Sequence, residues 1–249
     1  MNLKLLSYNI RYGGMGRVKE LAATIRECAP DLVVFQEATR PQVVQQIAAE
    51  TGMMNWAAQD GYSLGFMSRL EIARYEWRQP AGMRHHILEI LPAGTEFRIF
   101  GLHLSAIHSN WTERRRLREL HSLLKDIERH QHGLHVLVGD FNTLAPGEVF
   151  DVGRLPPRLR ALVWLSGGKI RWETIQIMLD ANYLDGYRYI HPQAKGFTFP
   201  TWSPHLRLDY VFVPKVYSDR LKDCRVVDEV APAAKASDHF PLLIDLEAA

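Results

Sequence analysis

Apolar residues recur along this chain at two periods, and short polar clusters sit where the apolar runs stop. Val18, Leu21, Ile25 and Cys28 fall at helical spacing within Arg17–Cys28, and Pro30 closes that segment. Pro41–Glu50, with proline at its first turn and Gly52 behind it, predicts a second helix. Asn110 caps a predicted third helix that runs to about His130, with Leu117, Leu120, Leu124 and Ile127 on one face. Thr174–Ala181 predicts a fourth. Leu3–Leu6, Asp31–Glu37, Tyr62–Ser68, His86–Leu91, Phe97–Leu104, His135–Val138, Leu208–Val213, Val226–Val230 and Leu242–Leu246 read as strands, and the Pro92–Gly94 turn makes a hairpin of the fourth and fifth. Strand-helix-strand units early and hairpins in the middle predict mixed sheets covered by helices. The stretch 144–182 is the least regular and carries an Arg- and Trp-rich segment, Arg158–Trp172.

The polar clusters share one grammar. Ser7-Tyr8-Asn9 follows the first strand, Gln36-Glu37 follows Leu32–Phe35, and Gly139-Asp140-Phe141-Asn142 follows His135–Val138. Ser237-Asp238-His239 precedes Leu242–Leu246, and His103 lies near the end of Phe97–Leu104. Five apolar runs each deliver Asp, Asn, Glu or His, the pattern of a site built on strand ends. Carboxylate and amide oxygens suit a hard cation, and a histidine beside them suits hydrolysis of a phosphate ester. Asp140 and Asn142 are two apart, so an extended chain would turn both to one side.

Composition narrows this little. The 249 residues, 47% apolar and 23% charged, suit one soluble domain over residues 1–249. A net charge of +2 gives no argument for a nucleic-acid partner. Cys28 and Cys224 cannot make a metal site alone, and Cys28, on the apolar face of its helix, reads as a buried thiol. No leader-like segment precedes Leu3 and no apolar run reaches membrane-spanning length, so a cytoplasmic protein with no integral membrane segment is expected.

Taken in order, Ser7-Tyr8-Asn9, Gln36-Glu37, His103-Leu104, Gly139-Asp140-Phe141-Asn142, Arg207-Leu208-Asp209-Tyr210 and Ser237-Asp238-His239 resemble the motifs of the endonuclease/exonuclease/phosphatase superfamily. The resemblance implies a deoxyribonuclease-like fold of the α/β (α+β) class, a four-layer sandwich of two mixed sheets flanked by helices. It implies Mg2+ or Mn2+ held by Glu37 and Asn9 with Asp238 nearby. It also implies that Asp140 orients or deprotonates the attacking water, that Asn142 donates to a phosphoryl oxygen, that His239 is oriented by Asp209, and that His103 touches the phosphate. An ion pair of Asp209 with Arg207 is the competing reading of that carboxylate.

The motifs imply a phosphate-ester substrate, and loops choose which one. A nuclease would use basic and aromatic groups, and Asn110–Arg118 and Arg154–Trp172 offer them. In the first of these Glu113 and Glu119 interleave with the arginines, which reads equally as a solvated helix face. A lipid phosphodiesterase would use an amphipathic element such as Leu159–Leu165, and a small-molecule phosphatase only a compact basic pocket. A non-catalytic binding protein on the same fold would be expected to lack one or more of the motif residues, and here all stand. His85, His86, His108 and His191 read as surface or structural residues.

Overall fold

The computed structural model describes residues 2–105, 110–130, 132–148, 153, 160 and 173–248. Two six-stranded sheets stack face to face. The first holds β1 (Asn2–Asn9), β2 (Leu32–Gln36), β3 (Asn55–Ala58), β4 (Gly65–Ser68), β11 (Leu221–Val226) and β12 (Leu242–Glu247), in the order β11-β12-β1-β2-β4-β3. The second holds β5 (Ile72–Arg78), β6 (Ile87–Pro92), β7 (Arg98–His103), β8 (His135–Asp140), β9 (Tyr183–Asp185) and β10 (Asp209–Pro214), in the order β5-β6-β7-β8-β10-β9. Both sheets are mixed: β1 and β7 run parallel to β2 and β8, while β12 and β10 run antiparallel beside β1 and β8.

Strand periodicity explains the layers. In β1, Leu3 and Leu5 enter the core between the sheets, where they meet Val34, Leu88, Ile90, Val136, Val138 and Val211. The alternate residues Leu6 and Tyr8 face outward and are covered by α1 (Val18–Cys28) and α2 (Pro41–Thr51) through Leu21, Ile25, Val44 and Ile47. On the far side, Phe100, Leu102, Leu137 and Phe212 are covered by Leu120 and Leu123 of α3 (Asn110–Ile127) and by Ile175 and Met178 of the helix Glu173–Asp180. The four layers expected from the motifs are these.

Several boundaries differ from the pattern reading. The strand expected at Val226–Val230 lies earlier, at Leu221–Val226. Lys222, Asp223 and Arg225 interrupt its apolar sequence on an edge strand, and a bulge breaks its register between Leu221 and Asp223. Tyr62–Ser68 is strand only from Gly65, which leaves Ser63 in a loop. Ile72–Arg78 carries no clear strand pattern in the sequence because it is an edge strand with exposed Ala73, Arg74 and Tyr75. Cys28 is buried, as its helical face predicts. The Arg158–Trp172 segment, Leu159–Leu165 and His108 lie outside the described residues, Arg160 excepted.

Candidate active site

The parity that fills the central core also builds the site. Asn9 continues the Leu3-Leu5-Ser7 face of β1, His103 the Ile99-Gly101 face of β7, and Asp140 the Val136-Val138 face of β8. Asp209 opens the Asp209-Val211-Val213 face of β10. All four therefore emerge between the sheets at one end of the sandwich. Register aligns three of them: His103 is paired with Asp140 across the parallel β7–β8 ladder, and Asp209 with Asp140 across the antiparallel β10–β8 ladder. Gly139 is what lets β8 lie this close to β7. Its φ is +146°, and a Cβ there would stand 1.9 Å from the Leu102 carbonyl oxygen.

The side chains meet at Asp140, whose carboxylate is 1% exposed as a residue. Its Oδ2 accepts from Asn9 Nδ2 at 3.1 Å and faces the Nε2 atoms of His103 at 3.8 Å and His239 at 3.9 Å. On the other side of its ring, His239 Nδ1 donates to Asp209 Oδ2 at 2.8 Å. Asn9 Nδ2 also reaches Glu37 Oε1 at 3.5 Å, and the Tyr12 N–H donates to Glu37 Oε2 at 2.6 Å. Ser63 Oγ accepts from the Glu37 N–H at 3.3 Å and is hydrogen-bonded to His103 Nδ1, which turns His103 Nε2 toward Asp140. Asp238 points to Arg11, Nε to Oδ2 3.2 Å. Among the described residues, Asp140, Asp209 and His239 form a buried group whose ligand atoms all lie within 4.8 Å of one another.

The profile of the endonuclease/exonuclease/phosphatase family matches residues 6–239. The chain belongs to that family. Its sequence matches no curated protein. Solved structures share the fold at low identity. A 3′ phosphatase, NExo, from Neisseria, bound to product DNA hairpin, superposes with a TM-score of 0.74 at 20% identity, covering 98% of this chain and 99% of its own. An AP endonuclease from Archaeoglobus fulgidus gives 0.70 at 19%, covering 98% and 99%. D. rerio TDP2 complexed with single-strand DNA product gives 0.68 at 16%, covering 99% of each chain. As a member of this family the chain is a hydrolase of phosphate esters.

Burial and charge set opposite protonation tendencies in this family member's site. Burial pushes the Asp140 carboxyl up to about 7, with the Asp209 carboxylate adding to the rise and the His239 imidazolium opposing it. Burial alone would lower His239, but the carboxylates of Asp209 and Asp140 outweigh it and raise the ring to about 10. For His103 the balance falls the other way. Burial, helped by His85 and His239, lowers it to about 3 and keeps it neutral.

Some expectations change. Asn142 is not extended: its φ is +52°, and its N–H donates to Asp140 Oδ1 at 2.8 Å, an Asx turn leaving the strand. Its amide donates to the Leu104 carbonyl at 3.1 Å, so Asn142 and Asp140 do not present parallel side chains. Arg207 does not pair with Asp209. It binds Asp185 at 2.9 and 2.6 Å and Glu148 at 2.6 Å, which leaves Asp209 to His239. Glu113, Arg116 and Glu119 are buried rather than solvated: Arg116 donates to Glu113 at 2.7 Å, and Glu119 takes the Ser105 hydroxyl at 2.8 Å and the Arg84 N–H at 3.0 Å. Arg114, Arg115 and Arg118 are exposed. His85 belongs to the site's rim, its ring stacked on His103 with centroids 5.1 Å apart and planes 5° apart. The sequence signal for it is slight, an adjacent His85-His86 pair preceded by Arg84.

Proposed function

We propose that this chain is a phosphodiesterase dependent on a divalent metal, Mg2+ or Mn2+, that acts on nucleic acid, with residues 1–249 working as one domain. The observation that carries the reading is the buried row His103–Asp140–Asp209, faced by His239 on the Asp209 carboxylate. Glu37 and Asn9 would hold the cation, with Asp238 beside them on the same edge. The donor set fits a hard ion: the carboxylates of Glu37 and Asp140 converge on a single amide, in a place with more negative than positive charge. When bound, the cation neutralises phosphoryl charge and makes water more acidic.

Asp140 takes the proton of the attacking water as its oxygen bonds to phosphorus and the ester bond opposite breaks. A carboxyl titrating near neutrality suits that exchange, because proton acceptance and release both lie close to the working pH. His239, protonated on Asp209, turns positive charge toward the phosphoryl oxygens. A neutral His103 would offer an Nε2–H to the same group. Asn142 holds Asp140 through its backbone N–H, and the amide hydrogen that Leu104 does not take would donate to a phosphoryl oxygen.

The test is turnover of single- and double-stranded DNA, RNA, an abasic-site duplex, inositol phosphates, sphingomyelin and bis-p-nitrophenyl phosphate, with Mg2+, Mn2+ or EDTA. The His239→Ala variant runs beside the wild type. Metal-dependent cleavage of nucleic acid, lost in the variant, is the expected result. Turnover confined to inositol phosphates or sphingomyelin would transfer the chain to the small-molecule and lipid branch, and turnover indifferent to EDTA would overturn the metal assignment.

A further inference from the structure

The rim beside His239 carries two large aromatic rings in open solvent. Trp202 is 68% exposed and Tyr12 69%. The Arg11 guanidinium stands over both rings, 5.2 Å from the Tyr12 centroid and 5.9 Å from that of Trp202. Arg11 is in turn ion-paired to Asp238, the neighbour of His239. The turn that bears Trp202 is bolted to the same segment. The Thr201 N–H donates to the Asp238 carbonyl at 3.0 Å, and the Thr201 hydroxyl donates to the Ser237 carbonyl at 2.9 Å. Phe199 completes the link, with its ring 4.8 Å from His239 and 6.3 Å from Trp202. The opposite end of the ledge is tied to the cation side, since the Arg11 N–H donates to Asn9 Oδ1 at 3.0 Å and the Tyr12 N–H to Glu37.

We propose that Arg11, Tyr12 and Trp202 form a stacking ledge for an unpaired nucleobase attached to the scissile phosphate, so that the enzyme prefers single-stranded or frayed substrate. The proposal rests on the phosphodiesterase reading and names the feature of the substrate that the site selects. A flat π face flanked by a guanidinium is what a base needs and what a duplex interior cannot offer without unstacking. The fixed guanidinium over both rings also argues against a quaternary ammonium headgroup, because it already occupies the cation position of an aromatic cage and would repel a second positive charge. Inositol phosphates have no flat face to stack. Trp202 is assigned a binding role, outside the reacting atoms.

The experiment is equilibrium binding in EDTA at low salt, read by fluorescence anisotropy. The probes are a labelled oligothymidylate and a labelled strand of equal length and charge made of tetrahydrofuran abasic units. The wild type is expected to bind the base-bearing strand about tenfold more tightly. Trp202→Ala should bring that ratio to about twofold or less, with binding of the abasic strand unchanged, and Trp202→Phe should restore most of it. Equal affinity of the wild type for both strands, or a preference that survives in Trp202→Ala, would overturn the ledge. Unchanged abasic-strand binding and thermal melting show that each variant is folded. Because no turnover is needed, a protein found inactive on every ester still gives this readout. An active enzyme with no base preference loses the ledge alone.

Discussion

Two buried ionic clusters diverge from one tripeptide, Arg207-Leu208-Asp209, and they are built on opposite plans. Arg207 is fully buried, yet its guanidinium is forked onto Asp185, bonded to Glu148 and stacked on the Tyr210 ring at 4.4 Å. Arg188 adds a second cation on Glu148 at 3.1 Å, so two arginines answer two carboxylates. Two residues away, Asp209 and Asp140 face a single imidazolium, His239, and the Asn9 amide joins Asp140 to a third carboxylate, Glu37. The first cluster is balanced and hydrogen-bonded, as buried charge must be to persist. The second carries surplus negative charge in a dry place and holds a carboxyl at about 7. Balance marks structure here, and imbalance marks chemistry, because an unbalanced site is stabilised by what it binds.

The largest effects should separate the clusters. Asp140→Asn should lower kcat by on the order of 10²–10⁴-fold while leaving the melting temperature unchanged or higher, since a neutral amide removes an ionisable group that burial already disfavours. A rate near wild type in single-turnover assays would take Asp140 out of the reaction. Arg207→Met should do the reverse. Leaving Asp185 and Glu148 without their forked partner should cost about 3–5 kcal/mol in urea unfolding, with kcat per folded molecule kept within a few-fold. Full stability with collapsed activity would erase the distinction. Glu37→Gln should raise the metal concentration for half-maximal activity by about tenfold or more, with smaller change at saturation. Unchanged metal dependence would free Glu37 from that duty.

The sequence made the inner strands of both sheets and most of the candidate site legible, because strand parity carries the same information twice, while the edge strands β3, β5 and β9 left no such pattern. The alternation that sends Leu3, Leu5, Val136, Val138 and Val211 to the central core also sends Asn9, Asp140 and Asp209 to its open end. What stayed hidden were partners chosen by tertiary contact. The interleaved Glu113, Arg116 and Glu119 read as a solvated face because exposed and buried charges look alike in one dimension. Their i, i+3, i+6 spacing is the helix stripe that packs, and Ser105, Thr143 and Thr174 take up the buried polar groups. For Asp209, proximity in sequence offered Arg207 as a competing partner, and the structure instead pairs it with His239, the partner the motif resemblance implied. His85 left little signal for the same reason: it lies in a loop, and its partner His103, at the end of β7, is distant in sequence.

His135 offers a third plan for a buried titratable group, and the smallest predicted effect. It opens β8, at the end of the strand remote from Asp140, and is 1% exposed. Its Nδ1–H donates to the Gly133 carbonyl at 2.8 Å, so its Nε2 accepts the Tyr183 hydroxyl at 2.6 Å. That arrangement needs the neutral ring, since protonation would set a second N–H against the hydroxyl proton. Burial lowers its pKa, and the Gly133 bond opposes this only in part. A histidine with a depressed folded pKa is neutral in both states above its unfolded pKa of about 6.5 and contributes no pH dependence there. Below that value the unfolded chain takes up a proton first, so stability falls as pH falls until the folded pKa is reached. His135→Gln keeps an amide donor and acceptor but cannot titrate. The wild-type minus variant unfolding free energy should therefore decline by up to about 1.4 kcal/mol per pH unit below roughly pH 6.5 and be flat above it. Parallel curves from denaturant titrations through that range would show that His135 protonates as readily folded as unfolded. The Tyr183 bond would then not require a neutral ring, and burial without a counter-charge would cease to be a separate plan from the balanced Arg207 cluster.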